Sequence, residues 1–92
     1  MAAENKVLLQ IMTPKKVFYS QEVEMVIVEE TLGKEGYMAG HSPALKLLKD
    51  GEIRIKEAGS QEMKTAMVPG GYIYAGDSIV VYSPQASWKD TH

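Results

Sequence analysis

His41 and the serine beside it are the residues of this 92-residue sequence whose types most readily suggest chemistry. Besides His92 at the last position, His41 is the one histidine, and an imidazole can act as an acid–base catalyst or a metal ligand. A metal site needs further ligands, and a nucleophilic serine needs a base with an orienting group. The sequence offers neither beside His41. We therefore expect a turn histidine that bonds the backbone or faces a partner.

Five glutamates, at positions 22, 24, 29, 30 and 35, raise the possibility of paired acids for hydrolysis. Glu22 and Glu24 fall on one face of a predicted strand, because alternate residues of a strand point the same way. A solvated strand face explains their positions without catalysis. We do not expect a hydrolase, since no nucleophile–base pair accompanies them.

The stretch Gly33 to Leu48 (GKEGYMAGHSPALKLL) is rich in glycine. It lacks the Gly-Lys-Ser/Thr ending of a phosphate-binding loop, and no long helical pattern follows it. Gly33, Gly36 and Gly40 mark places where the backbone needs a positive φ or a close approach. Pro43 pushes the residue before it toward extended geometry. The stretch therefore predicts a tight excursion that leaves a sheet.

Composition excludes several classes of protein. The chain has no cysteine, which rules out disulfides and thiolate metal sites. Ten basic and twelve acidic residues give a net charge of −2, which does not favour nucleic acid or anionic lipid as a partner. Apolar runs such as residues 25–28 are too short to span a bilayer, so we expect no direct membrane insertion. We also expect no bound cofactor.

Short apolar and alternating segments separated by turn residues recur along the chain. Residues 44–49 fit one helical turn as well as a strand, and that alternative stays open. Strands are predicted at residues 6–13, 17–19, 22–29, 52–57, 62–68, 72–74 and 79–83. This spacing predicts an all-β fold, a small antiparallel β-sandwich or flattened barrel of about 8–10 short strands.

Alternation also predicts which side chains are buried. In the strand 22–29, Val23, Met25 and Ile27 share a face. We expect Ile53, Ile55, Ile79 and Val81 to be buried and Arg54 and Lys56 to be exposed. For most of the methionines Met25, Met38, Met63 and Met67, we interpret the role as core filling rather than as a partner surface. Tyr72, Tyr74 and Tyr82 share one type of face, which suits the core and an interface equally.

Four motifs in order give the chain a resemblance to a known family. In chain order, the first contains Thr13, Pro14, Val23, Glu24, Val26 and Val28; the second is the glycine-rich stretch with Gly33, Gly36, Gly40, His41 and Pro43; the third contains Gly51, Ile53, Arg54 and Ile55; the fourth contains Gly70, Gly71, Tyr72, Asp77, Ile79 and Val81. Over about residues 6 to 86 the chain resembles the N-terminal β-sandwich domain of the epsilon subunit of the rotary F-type ATP synthase. It departs from the family pattern at Lys34, Glu35 and Ala39.

The resemblance implies a non-catalytic subunit of the central stalk. Such a subunit binds the gamma subunit, contacts the c-subunit ring and helps couple ion flow to ATP synthesis. It is peripheral, on the cytoplasmic face of the cell membrane, through the synthase complex. Carried over by position, the residues facing gamma are Thr13, Pro14, His41, Pro43 and Lys46, and those facing the c-ring are Lys34 and Glu35.

The resemblance also implies a domain division. Residues 1–86 form the epsilon-type β-sandwich and residues 87–92 a loose C-terminal tail, where the family usually continues into a two-helix domain. This form is therefore expected to lack the helical inhibitory latch. The alternative is a stand-alone β-sandwich adaptor that binds proteins and is unrelated to the synthase.

Overall fold

The computed structural model describes residues 5–89, in which nine strands and no helix are found. The strands are β1 (Val7–Met12), β2 (Val17–Glu30), β3 (Gly33–Tyr37), β4 (Ala44–Leu48), β5 (Gly51–Glu57), β6 (Met63–Val68), β7 (Gly71–Ala75), β8 (Ile79–Tyr82) and β9 (Ser87–Trp88). No helix long and apolar enough to cross a membrane is found within these residues. The predicted all-β fold is confirmed.

The strands form one sheet in the order β1-β8-β7-β4-β2-β5-β6-β9, with β3 paired to β2. Strand β1 also pairs with β2, so β1, β8, β7, β4 and β2 close into a ring. Residues 17–23 of β2 pair with β1, and residues 26–30 pair with β3. All pairings are antiparallel except that of β1 with β8. The flattened barrel is thus confirmed, with one parallel pair inside it.

The core contains the four residues that alternation predicted. Ile53, Ile55, Ile79 and Val81 are each at most 1% exposed. Arg54 is exposed as predicted, while Lys56 is half-buried. The Lys56 ammonium donates hydrogen bonds to Glu24 Oε1 at 3.1 Å and to the Ser60 carbonyl oxygen at 2.6 Å. Those two bonds hold the lysine against the sheet instead of in solvent.

The predicted phase of β2 is wrong after Val23. Val23, Val26 and Val28 are fully buried, whereas Met25 and Ile27 are only half-buried. The register against β5 shifts between Val23 and Met25. Such a bulge adds one residue to a strand and moves every later side chain to the opposite face. Strand β2 is also continuous, so the two segments predicted at 17–19 and 22–29 are one strand.

The glycine-rich stretch remains in the sheet longer than predicted. Gly33–Tyr37 forms β3, and Glu30 pairs with Gly33 across a two-residue turn. Gly33 and Gly40 have φ values of 128° and 84°, whereas Gly36 has no positive φ. Residues 44–48 are a strand, because every one of them pairs with β7. The excursion from the sheet is therefore confined to residues 38–43.

The predicted loose tail at 87–92 is in part a strand. Ser87 and Trp88 form β9 and pair with Met67 and Ala66 of β6. The Trp88 ring packs on Phe18 with centroids 4.7 Å apart, and this contact holds the segment in place. Residues 90–92 lie outside the described residues.

The methionines do not fill the core as predicted. Met38 and Met63 are 53% and 37% exposed, and Met25 and Met67 are half-buried. In β6 the inward positions belong to Ala66 and Val68, which leaves the methionines of that strand on the outer side.

Candidate functional site

An exposed apolar surface covers the outer side of β4, β7 and β8. The five residues of this tyrosine–leucine face are Leu45 (65% exposed), Leu47 (69%), Tyr72 (40%), Tyr74 (50%) and Tyr82 (41%). The register sets Leu47 beside Tyr72 and Tyr72 beside Tyr82, with Leu45 beside Tyr74. The alternate residues Ile73 and Val81 point inward and are buried. The question left open for the tyrosines is thereby settled in favour of exposure.

Scattered apolar side chains are common on protein surfaces, but a contiguous set of large ones marks an interaction site. Tyrosine is enriched at such sites because its ring contributes contact area and its hydroxyl tolerates water. The rings of Tyr72 and Tyr82 pack together with centroids 5.1 Å apart. The tyrosine–leucine face is thus a contiguous exposed apolar surface with the composition of a protein–protein contact.

At the end of this face formed by Tyr72 and Tyr82 lies a cavity of about 420 Å³, called here the end pocket. Its lining residues are Met12, Thr13, Pro14, Gly71, Tyr72, Tyr82, Ser83 and Pro84. Thr13 and Pro14, both predicted to face gamma, belong to the turn between β1 and β2, which the Thr13 N–H closes by donating to the Lys16 carbonyl at 2.9 Å. The turn predicted at residues 13–16 is confirmed, and it forms one wall of the pocket.

The β2–β3 hairpin projects a different kind of surface. Leu32, at its two-residue turn, is 99% exposed. Behind it, Lys34 and Glu35 line a cleft of about 570 Å³ together with Leu45, Lys46 and Leu47 of β4. Lys46, predicted to face gamma, therefore shares a cleft with the two residues predicted to face the c-ring. The two predicted sets meet where the hairpin approaches β4.

His41 and Pro43 lie in the segment that leads into β4. The His41 N–H donates to the Met38 carbonyl at 3.1 Å, and its ring packs on Tyr37 with centroids 4.4 Å apart. Nδ1 lies 2.6 Å from the Ser42 carbonyl oxygen and so donates to it, while Nε2 lies 3.4 Å from Glu35 Oε2. His41 thus joins the turn to β3, and the prediction of a turn histidine bonding the backbone is confirmed.

Tyr37, on whose ring His41 packs, forms a buried pair with Glu30. The Tyr37 hydroxyl donates a hydrogen bond to the Glu30 carboxylate, and both residues are buried. Burial, and then the bond to Glu30, raise the pKa of the Tyr37 hydroxyl well above its usual range, so it remains a donor. Among residues 5–89, no group of three or more histidine, cysteine or acidic side chains is placed to hold a metal ion. The arrangement therefore organises the hairpin and its neighbouring turn.

Over residues 6–88 the sequence matches the family described as ATP synthase, Delta/Epsilon chain, beta-sandwich domain. This match covers nearly the whole chain. The chain belongs to this delta/epsilon family.

Two similar curated proteins are ATP synthase epsilon chains. The ATP synthase epsilon chain of Brevibacillus brevis is 34% identical over 82 residues, which are 89% of this chain and 62% of the relative. That of Alkaliphilus metalliredigens is 33% identical over 87 residues, which are 94% of this chain and 63% of the relative. This chain therefore spans about three-fifths of the length of the curated relatives that it matches. An adaptor unrelated to the synthase is not favoured.

Two solved assemblies contain chains of the same fold. A chain of the Euglena gracilis mitochondrial ATP synthase, solved with OSCP, F1 and the c-ring, superposes with a TM-score of 0.86 at 15% identity, covering 96% of this chain and 56% of that one. A chain of the central stalk and c-ring of the Tetrahymena thermophila enzyme superposes with a TM-score of 0.74 at 13% identity, covering 94% and 69%. At these identities the likeness concerns the fold alone.

Three exposed apolar features of this delta/epsilon-family domain were not predicted from the sequence. Leu45 and Leu47 were assigned to a segment of undecided structure, and a strand assignment would have placed them together on one face. Leu32 was not singled out, although a leucine between a threonine and a glycine at a turn is exposed by position. Trp88 was assigned to a loose tail, and a lone tryptophan six residues after β8 was the available sign of a docked segment.

Proposed function

We propose that this chain is a non-catalytic central-stalk subunit of an F-type ATP synthase. It binds the gamma subunit through the tyrosine–leucine face and presents the β2–β3 hairpin to the c-subunit ring. In this position it couples ion flow to ATP synthesis. It is peripheral to the cell membrane on the cytoplasmic side, held there by the complex. Membership of the delta/epsilon family supports the assignment to the synthase.

The observation that carries the gamma assignment is the exposed tyrosine–leucine face. Its two leucines are about two-thirds exposed, so a partner that buried each of them fully would gain about 1–2 kcal/mol per leucine. Of the five residues carried over as gamma-facing, Thr13 and Pro14 line the end pocket next to this face. Lys46 alternates with the two leucines and therefore points to the other side of β4, and His41 and Pro43 precede that strand. A subunit that packs on this face and covers the end pocket would contact Thr13 and Pro14.

The c-ring assignment is supported by the shape of the hairpin. Only the turn residues Thr31 and Leu32 separate the paired positions Glu30 and Gly33, so the tip is narrow. Leu32 extends into solvent there, with Lys34 and Glu35 behind it. A narrow tip of this kind can reach between the loops of a ring. Lys34 is exposed and lies opposite Glu29 in the pairing of β2 with β3, so a ring contact need not bury an unpaired charge.

The test is calorimetric titration of the 92-residue chain with the purified gamma subunit of the same organism. Saturable binding is expected. Leu47→Glu should weaken it at least about 30-fold, because it places a charge at the centre of the contact. Circular dichroism should show unchanged folding, since Leu47 is 69% exposed.

Leu32→Glu is the matched control, since it makes the same substitution at a fully exposed position off the tyrosine–leucine face. It should leave the affinity for gamma within about two-fold. If the chain did not bind gamma, or if both variants weakened binding equally, the assignment of the face to gamma would be wrong.

A further inference from the structure

The walls of the end pocket are mainly hydrocarbon. Met12, Pro14 and Pro84 contribute aliphatic surface, and Tyr72 and Tyr82 contribute aromatic rings. Its volume of about 420 Å³ is at the small end of the roughly 300–1,000 Å³ typical of specific ligand sites. The pocket therefore has room for a compact group rather than for an extended chain.

Three polar groups of the pocket, the Ser83 hydroxyl, the Ser83 N–H and the Thr13 hydroxyl, already bond within the protein. The Ser83 hydroxyl lies 2.7 Å from the Gly70 carbonyl oxygen and 2.9 Å from that of Gln85, and its hydrogen is directed at them. The Ser83 N–H donates to the Met12 carbonyl at 3.0 Å, and the Thr13 hydroxyl donates to Lys16 at 3.2 Å. A polar or charged occupant would lose its hydration without gaining these bonds. The occupant that fits is apolar.

The pocket is also rigid. Two prolines restrict its rim, and Gly71 packs so tightly on the Tyr82 backbone that no side chain fits between them. Tyr72 and Tyr82 are held side by side by the pairing of β7 with β8. A preformed site of this kind avoids the entropy cost of ordering its walls when it is filled.

Tyr72 and Tyr82 belong both to the end pocket and to the tyrosine–leucine face, so a partner covering the face also covers the pocket mouth. We propose that the end pocket accepts a single uncharged apolar side chain of the gamma subunit, aromatic or branched aliphatic, as the anchor of the complex. This inference rests on the proposed function, which supplies the partner. Anchors of this kind dominate binding because they fill dry, well-packed pockets.

The experiment compares two tyrosines of the same face. Tyr82 lines the pocket and Tyr74 does not, although the two are 41% and 50% exposed. Tyr82→Ser should weaken gamma binding about 30-fold or more, and Tyr74→Ser less than about 5-fold. Tyr82→Phe keeps the aromatic wall and should bind within about two-fold of the unsubstituted chain. Thermal unfolding of each variant verifies that the fold is kept.

Alanine scanning of gamma then identifies the anchor. Replacing one apolar gamma residue with alanine should weaken binding as much as Tyr82→Ser does. When that gamma variant is combined with Tyr82→Ser, the affinity should fall little further than with either substitution alone. Equal effects of Tyr82→Ser and Tyr74→Ser, or coupling of Tyr82 only to charged gamma residues, would overturn the anchor while leaving gamma binding intact. Absence of binding by the unsubstituted chain would overturn this inference and the proposed function together.

Discussion

Gly71 lies so close to the carbonyl oxygen of Tyr82 that a Cβ atom on Gly71 would stand 2.0 Å from it. Gly71 also has a φ of 127°, a conformation that residues with side chains rarely adopt. Gly71→Ala should therefore destabilise the fold by about 3 kcal/mol, since it combines backbone strain with a clash against backbone that cannot move aside. Urea unfolding followed by circular dichroism measures this.

Gly59→Ala is the control for that clash. Gly59 also has a positive φ, of 80°, but a Cβ there would meet no atom within 4 Å. Gly59→Ala therefore introduces only the backbone strain of a positive φ, and it should lower the free energy of unfolding by about 1 kcal/mol. Equal costs at the two positions would show that the approach of Gly71 to Tyr82 contributes nothing.

Leu32 should contact the c-subunit ring in the assembled synthase. The chain has no native cysteine, so Leu32→Cys supplies a unique thiol at the hairpin tip. With a short bifunctional maleimide, this variant should cross-link to a cysteine placed in the polar loop of the c subunit. Gln61→Cys, in the turn between β5 and β6, should not cross-link, because that turn lies beside the middle of β2, where the Ala58 N–H bonds to the Glu22 carbonyl, and away from the hairpin tip that follows Glu30. Cross-linking from both positions would contradict the orientation proposed for the hairpin.

Tyr19→Phe should make the fold less sensitive to acid. The Tyr19 hydroxyl donates to Glu57 Oε2 at 2.6 Å, and this bond, followed by Lys64 at 3.2 Å, holds the pKa of the Glu57 carboxyl below its ordinary value of 4.5. A carboxyl whose pKa is lower in the folded state stabilises the fold above its unfolded pKa, and that contribution fades as the pH falls through the folded pKa.

The stability difference between the unsubstituted chain and Tyr19→Phe should thus be full above about pH 4.5 and shrink below it. Urea unfolding at a series of pH values measures this difference. Glu57→Gln serves as the control, because it removes the titrating group and should abolish the pH dependence of the Tyr19→Phe effect. A difference independent of pH would mean that the Tyr19 hydroxyl does not act through the charge of Glu57.

Trp88 should contribute to stability more than the charged residue beside it. Its ring packs on Phe18 and lies edge-on to Tyr19 at 5.6 Å, although it remains 44% exposed. Trp88→Ala should cost about 1–2 kcal/mol, below the 3–5 of a fully buried tryptophan. Lys89→Ala removes a surface ion pair to Glu52 and should cost less than about 1 kcal/mol. Chemical denaturation of both variants checks the order, and a larger effect at Lys89 would contradict it.

Local pattern was a sufficient guide wherever a strand alternates without interruption. Ile53 and Ile55 in β5 were placed correctly, because each outward neighbour is charged and the period is strictly two. In β2 the same rule failed after Val23, since the bulge is set by the pairing with β5 and both Met25 and Val26 are apolar. No feature of the strand's own sequence distinguishes the two phases.

The candidate site was less predictable than the core. Leu45 and Leu47 belong to a segment whose apolar spacing suits a helix and a strand alike, and only its pairing with β7 decides between them. Tyr72 and Tyr82 were placed on one type of face, but whether that face is covered depends on the layers around it. The Glu35–His41 contact joins residues on either side of a turn whose path the sequence did not define.

The ring of five strands has a consequence for the order of folding. Strand β1 fits between β2 and β8, and Leu9 pairs with Ile79, which lies 70 positions later in the chain. During synthesis β1 can form a hairpin with β2 early, but its other edge waits until almost the whole domain has left the ribosome. Contacts between such distant segments slow folding, because a long loop must close first. Until then the apolar edge of β1 is available to other chains, and we expect the nascent domain to depend on chaperone protection until β8 emerges.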